Sequence, residues 1–336
     1  MKKRIFSLFN NMLSFFPISK LSIERISNWA NLFYLALTNG GSYTIRHHDF
    51  FDYSASFFED YLFTGKTGGK VTNLKRGLDV DSQKLIDKVL KRQKYIFTHN
   101  LIDNRLIFDS KEIKEQKIIE NFRKKSRLHP EMSLCPEAFY YHHGLKFLPE
   151  KILNDIDGKD VIDGGAYTGD SAMAFCKKYS FGKVYSFEPE KQIYAELENN
   201  IEKYRMKNVV AVNKGIGSED GTATMKYRDL ASRIHPEGDE EITITSVDNF
   251  VEKNGSNIGL IKFDIEGSEL DGLRGAIDTI RRFKPVLLIS IYHSGRDFFE
   301  IKPYLENLDL GYKFIIKKLN PGTYVNDVML IAYVDF

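Results

Sequence analysis

A chain of 336 residues with 42% hydrophobic and 28% charged residues can bury one large core or two ordinary ones, and its composition excludes a disordered or fibrous protein. Its 48 basic and 46 acidic residues leave a formal charge of +2, which excludes nucleic-acid binding through overall charge. The charge is uneven: residues 1–150 hold roughly 24 basic and 16 acidic residues, which permits an anionic partner for the front half, although solvated helix faces account for it equally well.

The chain opens MKKRIFSLFNNMLSFFPISK. This begins like a signal peptide, but Asn10, Asn11 and Ser14 break the apolar run and no small-residue cleavage pattern follows. Ile5, Phe9, Met12, Leu13 and Phe16 fall at helical spacing behind Lys2, Lys3 and Arg4. Residues 1–16 could therefore make peripheral contact with an anionic membrane surface, or pack onto the rest of the protein. Nowhere do about 18 uncharged apolar residues run together, so no membrane span is expected. Cys135 and Cys176 form no CxxC or Cys/His cluster, which implies free thiols in a reducing compartment and no structural zinc. The expected location is cytoplasmic, at the inner membrane surface if the first residues dock there.

Apolar spacing predicts helices over 19–37, 81–95 and 110–125, with Asp81 and Ser110 as caps for the latter two. The intervening GKTGGK fails the Walker spacing, because Asp60 stands where a glycine is needed before Gly65, so it reads as a flexible turn. His47, His48, His142 and His143 carry no ligand pattern and read as surface or core residues. Residues 1–149 thus form a mainly helical region, expected to serve acceptor binding or homo-oligomerisation.

From residue 150 the pattern alternates. Strands are expected at 160–165, 183–189, 209–217, 259–265 and 285–293, and helices at 168–180, 190–206, 268–282 and 296–308. GTATMKYRD and EITITSV read as an inserted antiparallel pair, followed by a short helix at 248–254. Alternation of this kind implies right-handed crossovers and a parallel sheet covered on both faces. The last two strands, 312–319 and 327–334, are joined too tightly for a parallel crossover and must run antiparallel if they pair. The fold class is therefore α/β, a Rossmann-like doubly wound sheet with a terminal antiparallel strand over 150–336, as in class I methyltransferases.

IDGGAYTGDS places Asp163 at a strand end with Gly164, Gly165 and Gly169 in the turn, where backbone can approach a ligand and a helix N-terminus follows. A pyrophosphate site would show GxGxxG without an inward carboxylate, so Asp163 suits a ligand carrying positive charge. SFEP puts Glu188 at the end of the next strand, where an acid can accept from both ribose hydroxyls or serve the start of the following helix. S-adenosylmethionine needs both an ammonium partner and a ribose partner.

IDGGAYTGDS, YSFEP, the VNKGIG turn, ITSVDNF and KFDIEGSELDGLRGA together resemble the FkbM family of class I S-adenosylmethionine-dependent methyltransferases, over about residues 150–336. ISIYH and NDVMLIAY resemble the later strands of one branch. The resemblance implies S-adenosylmethionine as cofactor and a hydroxylated small-molecule or glycan acceptor. Asp163, Gly164, Gly165, Ala166, Tyr167, Thr168, Gly169 and Asp170 would hold the methionine end, Glu188 the ribose, and Asp264 the border of the donor pocket. Where that branch has an Arg-His pair near the sixth strand, this chain has Lys317-Lys318, so no substrate role is borrowed from that histidine.

Methyl transfer to oxygen needs alignment and removal of the hydroxyl proton. His293, at the carboxyl edge of the fifth strand, is the candidate base and Glu266 the second candidate. Tyr292 alternates to the other face if the strand is regular there, so the two could meet one ligand only with a bend. Asp264 and Glu266 form too weak a set for a metal, and none is expected. In IKFDIEGSELDGL, Gly267 makes the turn and Ser268 caps the next helix, with Glu269 and Asp271 served by its positive end. The exocyclic-amine motif of nucleic-acid methyltransferases is replaced by DIEG, so no nucleic-acid partner is expected. Another acceptor, nucleic acid or protein, and a non-catalytic binding protein keeping the fold are the alternatives.

Overall fold

The computed structural model describes residues 43–45, 67–99, 101–125, 135–226, 233–234, 238 and 240–335. The expectations for 1–16, 19–37, His47, His48 and the Gly65-Lys66 step lie outside the described residues.

Seven strands form the main sheet: β1 (Asp160–Gly164), β2 (Val184–Phe187), β3 (Val209–Val212), β4 (Ile258–Phe263), β5 (Val286–Ser290), β6 (Tyr312–Lys318) and β7 (Val328–Val334). Their order is β6-β7-β5-β4-β1-β2-β3. The pairs from β3 to β5 are parallel, and β7 inserts antiparallel between β5 and β6. Chain order reverses at β1 and β4, so a crevice opens beyond their carboxyl ends, where open α/β sheets bind ligands.

Successive residues of each strand point to opposite faces, and two cores result. Ile162, Phe187, Ile261, Phe263 and Leu287 feed one core, and Val161, Val184, Leu260, Val286 and Leu288 the other. The front region enters both. Leu74, Leu78, Ile86 and Val89 pack in the first, and Phe139, Leu145, Leu148 and Ile152 in the second. Ser82 on the helix Val80–Thr98 is fully buried against β6, where its Oγ accepts from Ile316 N at 2.9 Å.

Several local expectations are corrected. Asp79, not Asp81, caps Val80–Thr98 by accepting from Ser82 N. Ser110 is already helical, and Asp109 accepts from Glu112 N at 2.9 Å while Glu112 accepts from Asp109 N at 3.1 Å, a reciprocal capping box. In both cases an aspartate one or two residues upstream satisfies the free amides better. Thr67–Lys75 is a helix that includes Gly68 and Gly69, so that part of GKTGGK is no turn; Lys70 pairs with Glu300 at 2.9 Å and Leu74 is buried. Tertiary packing outweighs the glycine penalty there.

The stretch 209–217 splits: β3 ends at Val212, and Gly215–Ile216 pairs in parallel with Glu240–Thr245 in a separate four-stranded sheet. Gly221–Lys226 pairs antiparallel with Glu240–Thr245, as the inserted pair should. The helix 268–282 breaks into Glu269–Arg274 and Ile277–Phe283 around Gly275, where a Cβ would lie 2.1 Å from the Gly217 carbonyl oxygen. Among the described residues, no helix is long and apolar enough to cross a membrane.

Candidate active site

The turn after β1 lies against the end of β4. Gly165 has φ +70°, and a Cβ there would sit 1.9 Å from the Asp264 carbonyl oxygen, so only glycine lets the two loops meet. The turn's amides are used internally: Gly165 N and Ala166 N both donate to Phe187 O. Gly169, at φ +95°, starts the helix Asp170–Lys178. Asn200 Nδ2 donates to Thr168 O at 2.9 Å and steadies the turn from the neighbouring helix. Tyr167 is half-exposed, whereas Ala166 and Thr168 are buried.

Asp163 is completely buried, and the β1–β4 register sets it directly opposite Lys262. Lys262 Nζ lies 3.1 Å from Asp163 Oδ1 and donates to Gly165 O at 2.8 Å and Gly164 O at 3.2 Å. Burial opposes the charge on Lys262, but Asp163, Asp264 and Asp170 outweigh it and raise its pKa. The positive charge expected opposite Asp163 is therefore already supplied from within the chain. Lys262 escaped notice in the sequence, although a lone charge in the buried strand IGLIKF was a visible signal.

Glu188 follows β2 and is buried. Its Oε2 accepts from Tyr167 N at 3.1 Å and its Oε1 from Glu190 N at 3.0 Å, joining the glycine turn to the start of the next helix. Burial, only partly offset by these amides, pushes Glu188 up to about 7. Asn213 braces the same corner by donating to Glu188 O and Pro189 O. Burial also pushes Asp170 up to about 6.

The loop after β4 carries the most crowded chemistry. Glu269, expected at a solvated helix end, is fully buried, and the Ser268 side chain makes no cap. Glu269 instead bends back: Oε1 accepts from Ile265 N at 2.8 Å and Oε2 from Gly267 N at 2.9 Å. That closure holds Glu266 at φ +57° and Gly267 at φ +100°. Glu269 Oε1 is also 2.8 Å from His293 Nδ1.

The other imidazole nitrogen, His293 Nε2, lies 3.4 Å from Asp264 Oδ1 and 3.5 Å from Glu266 Oε2. Burial would lower the His293 pKa, but Glu269, Glu266 and Asp264 together hold it well above the ordinary range. Burial raises Asp264, yet His293 and Lys262 prevail and keep it below the ordinary range. Tyr292 donates to Asp264 Oδ1 at 3.4 Å, with its ring centroid 4.0 Å from that of His293. β5 ends at Ser290, so the alternation of a regular strand does not extend to Tyr292 and His293.

One donor atom from each of Asp264, Glu269 and His293 lies within 4.8 Å of the others, close enough to surround a divalent cation. Both Glu269 oxygens already accept from amides, and Oε1 also faces the imidazole. His143 is buried against Phe175, and burial drives it down to about 3, a core residue as expected. Lys318 is pinned in the β6–β7 connection by Thr323 Oγ1 at 2.7 Å and Asn320 O.

Residues 163–314 match the methyltransferase FkbM domain. The chain is 23% identical over 178 residues to Methyltransferase 1 of Beauveria bassiana (strain ARSEF 2860), covering 45% of this chain and 72% of that protein. It is similar to the crystal structure of a methyltransferase FkbM from Methylobacillus flagellatus KT, with a TM-score of 0.58 and 21% identity, over 84% of this chain and 62% of that one.

Proposed function

We propose that the protein transfers a methyl group from S-adenosylmethionine to a hydroxyl of a sugar, a glycan precursor or a related small metabolite, a reading supported by the match of residues 163–314 to the methyltransferase FkbM domain. The observation that carries this reading is His293. It is buried at the sheet's carboxyl edge, oriented by Glu269 through Nδ1, and directs Nε2 between Asp264 and Glu266.

The chain's residues suit the cofactor. The glycine turn packs its backbone directly onto the Asp264 loop at the end of β4, and Glu188 retains acceptor capacity for ribose hydroxyls after its two amide bonds. The turn from Gly164 to Asp170 would face the methionine end, Glu188 the ribose and Asp264 the positively charged sulfur. When bound, S-adenosylmethionine supplies an already activated methyl group, so the protein needs no covalent nucleophile.

The chain's own task is alignment and proton removal. Glu269 fixes the ring so that Nε2 is the atom left for the acceptor proton, and its charge stabilises the imidazolium, the logic of a carboxylate-oriented histidine base. Because three carboxylates favour the charged ring, His293 must first lose its Nε2 proton. Glu266, 3.5 Å from Nε2, offers a carboxylate through which that proton can leave. The crowding of Asp264, Glu266 and Glu269 around the imidazole suits a neutral polyhydroxylated acceptor over a phosphorylated one. A cytoplasmic location and an acceptor-binding role for the front region belong to the same proposal.

The test is transfer of labelled methyl from S-adenosylmethionine to a panel of neutral and phosphorylated glycosides. Label in an alkali-stable methyl ether, lost in His293→Gln, is expected. No binding of S-adenosylmethionine by the wild-type protein, or label only on nitrogen or nucleic acid, refutes the reading.

A further inference from the structure

Lys262 is 1% exposed, and its ammonium makes three contacts, with Asp163 Oδ1 at 3.1 Å, Gly164 O at 3.2 Å and Gly165 O at 2.8 Å. Two of its donors go to the carbonyls, and its charge pairs with Asp163. A carboxylate and two converging carbonyls form the cradle that a ligand's amino group would otherwise occupy. Here a side chain of the protein fills it. Ser186 Oγ adds a contact to Asp163 Oδ2 at 3.4 Å, so both oxygens of that carboxylate face partners inside the chain. Asp264, by contrast, keeps 27% of its side chain exposed on the crevice side.

We propose that Lys262 is a positioning residue of the cofactor site: it neutralises Asp163 internally and locks the Gly164–Gly165 turn, leaving Asp264 as the carboxylate that meets the cofactor's positive charge. This rests on the S-adenosylmethionine reading and reassigns the partner within it. The physical reason is desolvation. A fully buried carboxylate is stable only beside a fixed counter-charge, and exchanging Lys262 for a mobile ligand would leave the lysine itself unpaired.

The experiment is a double-mutant cycle read by calorimetric titration of S-adenosylmethionine and S-adenosylhomocysteine into the full chain. The variants are Asp163→Asn, Lys262→Met, the pair together, and Asp264→Asn. Thermal melts of each variant identify those that fold, and the paired variant, which buries no lone charge, is the one most secure in folding.

Asp163→Asn should weaken both ligands at least 10-fold when Lys262 is present. In the Lys262→Met background the same change should cost less than 2-fold. Asp264→Asn should weaken the sulfonium ligand at least 5-fold more than the neutral sulfide, whereas Asp163→Asn should leave that ratio unchanged. An equal loss from Asp163→Asn in both backgrounds means that Asp163 meets the ligand directly and overturns the proposal. If Lys262→Met does not fold, the paired variant binding both ligands as tightly as the wild type overturns it too. Failure of the wild-type chain to bind either ligand is a different result, which removes the cofactor reading itself.

Discussion

Glu269 Oε1 and His293 Nδ1 stand 2.8 Å apart in a pocket where both side chains are buried, and the same carboxylate group takes the amides of Ile265 and Gly267. One glutamate thus closes the loop after β4 and sets the direction of the imidazole. The loop's conformation and the ring's proton affinity are therefore coupled through a single side chain.

The first prediction concerns catalysis. His293→Gln should lower kcat by about 10²–10⁴-fold with little change in S-adenosylmethionine affinity, the range for loss of a general base. Steady-state kinetics on an identified acceptor would check it, and full turnover would remove His293 from that role.

The second concerns pH. The carboxylates hold His293 above its ordinary pKa, so turnover should rise with pH through a value above about 6.5 as Nε2 loses its proton. Glu269→Gln removes the first of the raising charges and should move this limb toward lower pH while reducing the plateau. A limb unchanged in Glu269→Gln would show that another group titrates.

The third is the matching stability effect. The folded pKa of His293 lies above its unfolded value, so its contribution to stability is fully present below the unfolded pKa of about 6.5 and is lost as pH rises through the folded pKa. The melting-temperature difference between wild type and His293→Gln should therefore shrink as pH is raised from about 6.5. A difference that stays constant or grows would contradict the imidazolium.

The fourth tests the two close approaches that build the structure. Gly165→Ala puts a methyl 1.9 Å from the Asp264 carbonyl at φ +70° and should destabilise by more than about 2 kcal/mol, with loss of cofactor binding. Ser82→Ala leaves Ile316 N without its acceptor on β6 and should cost about 1–3 kcal/mol in chemical denaturation.

A fifth addresses metal chemistry. With Glu269 Oε1 shared between an amide and the imidazole and Oε2 taken by Gly267 N, activity should survive dialysis against a chelator undiminished. Loss of activity restored by a divalent cation would make Asp264, Glu269 and His293 its first candidate ligands.

Much of the sheet was readable because its signals are local. Alternating strands and helices, the glycine turn, Glu188 at a strand end and the close-spaced terminal strands each follow from periodicity or turn chemistry within a few residues. The expectations that failed were those depending on which nearby group wins an amide. Asp79 and Asp109 displaced Asp81 and Ser110 as caps, and the Gly68-Gly69 step became helical because Leu74 had a core to enter.

The sequence by itself determined the α/β class and the reversed last strand, and it put the candidate residues from Asp163 to His293 near the ends of strands. Tertiary structure alone decided what those charges do. Register placed Lys262 across from Asp163, and loop closure turned Glu269 inward onto His293. A charge pair across strands depends on residues about 100 positions apart meeting at 3.1 Å, and Coulomb energy in a dry interior depends on that distance and on burial. Neither quantity is written in the local order of residues, so an acid seen as a free ligand partner or a solvated helix end could be assigned only once its counter-charge was in place.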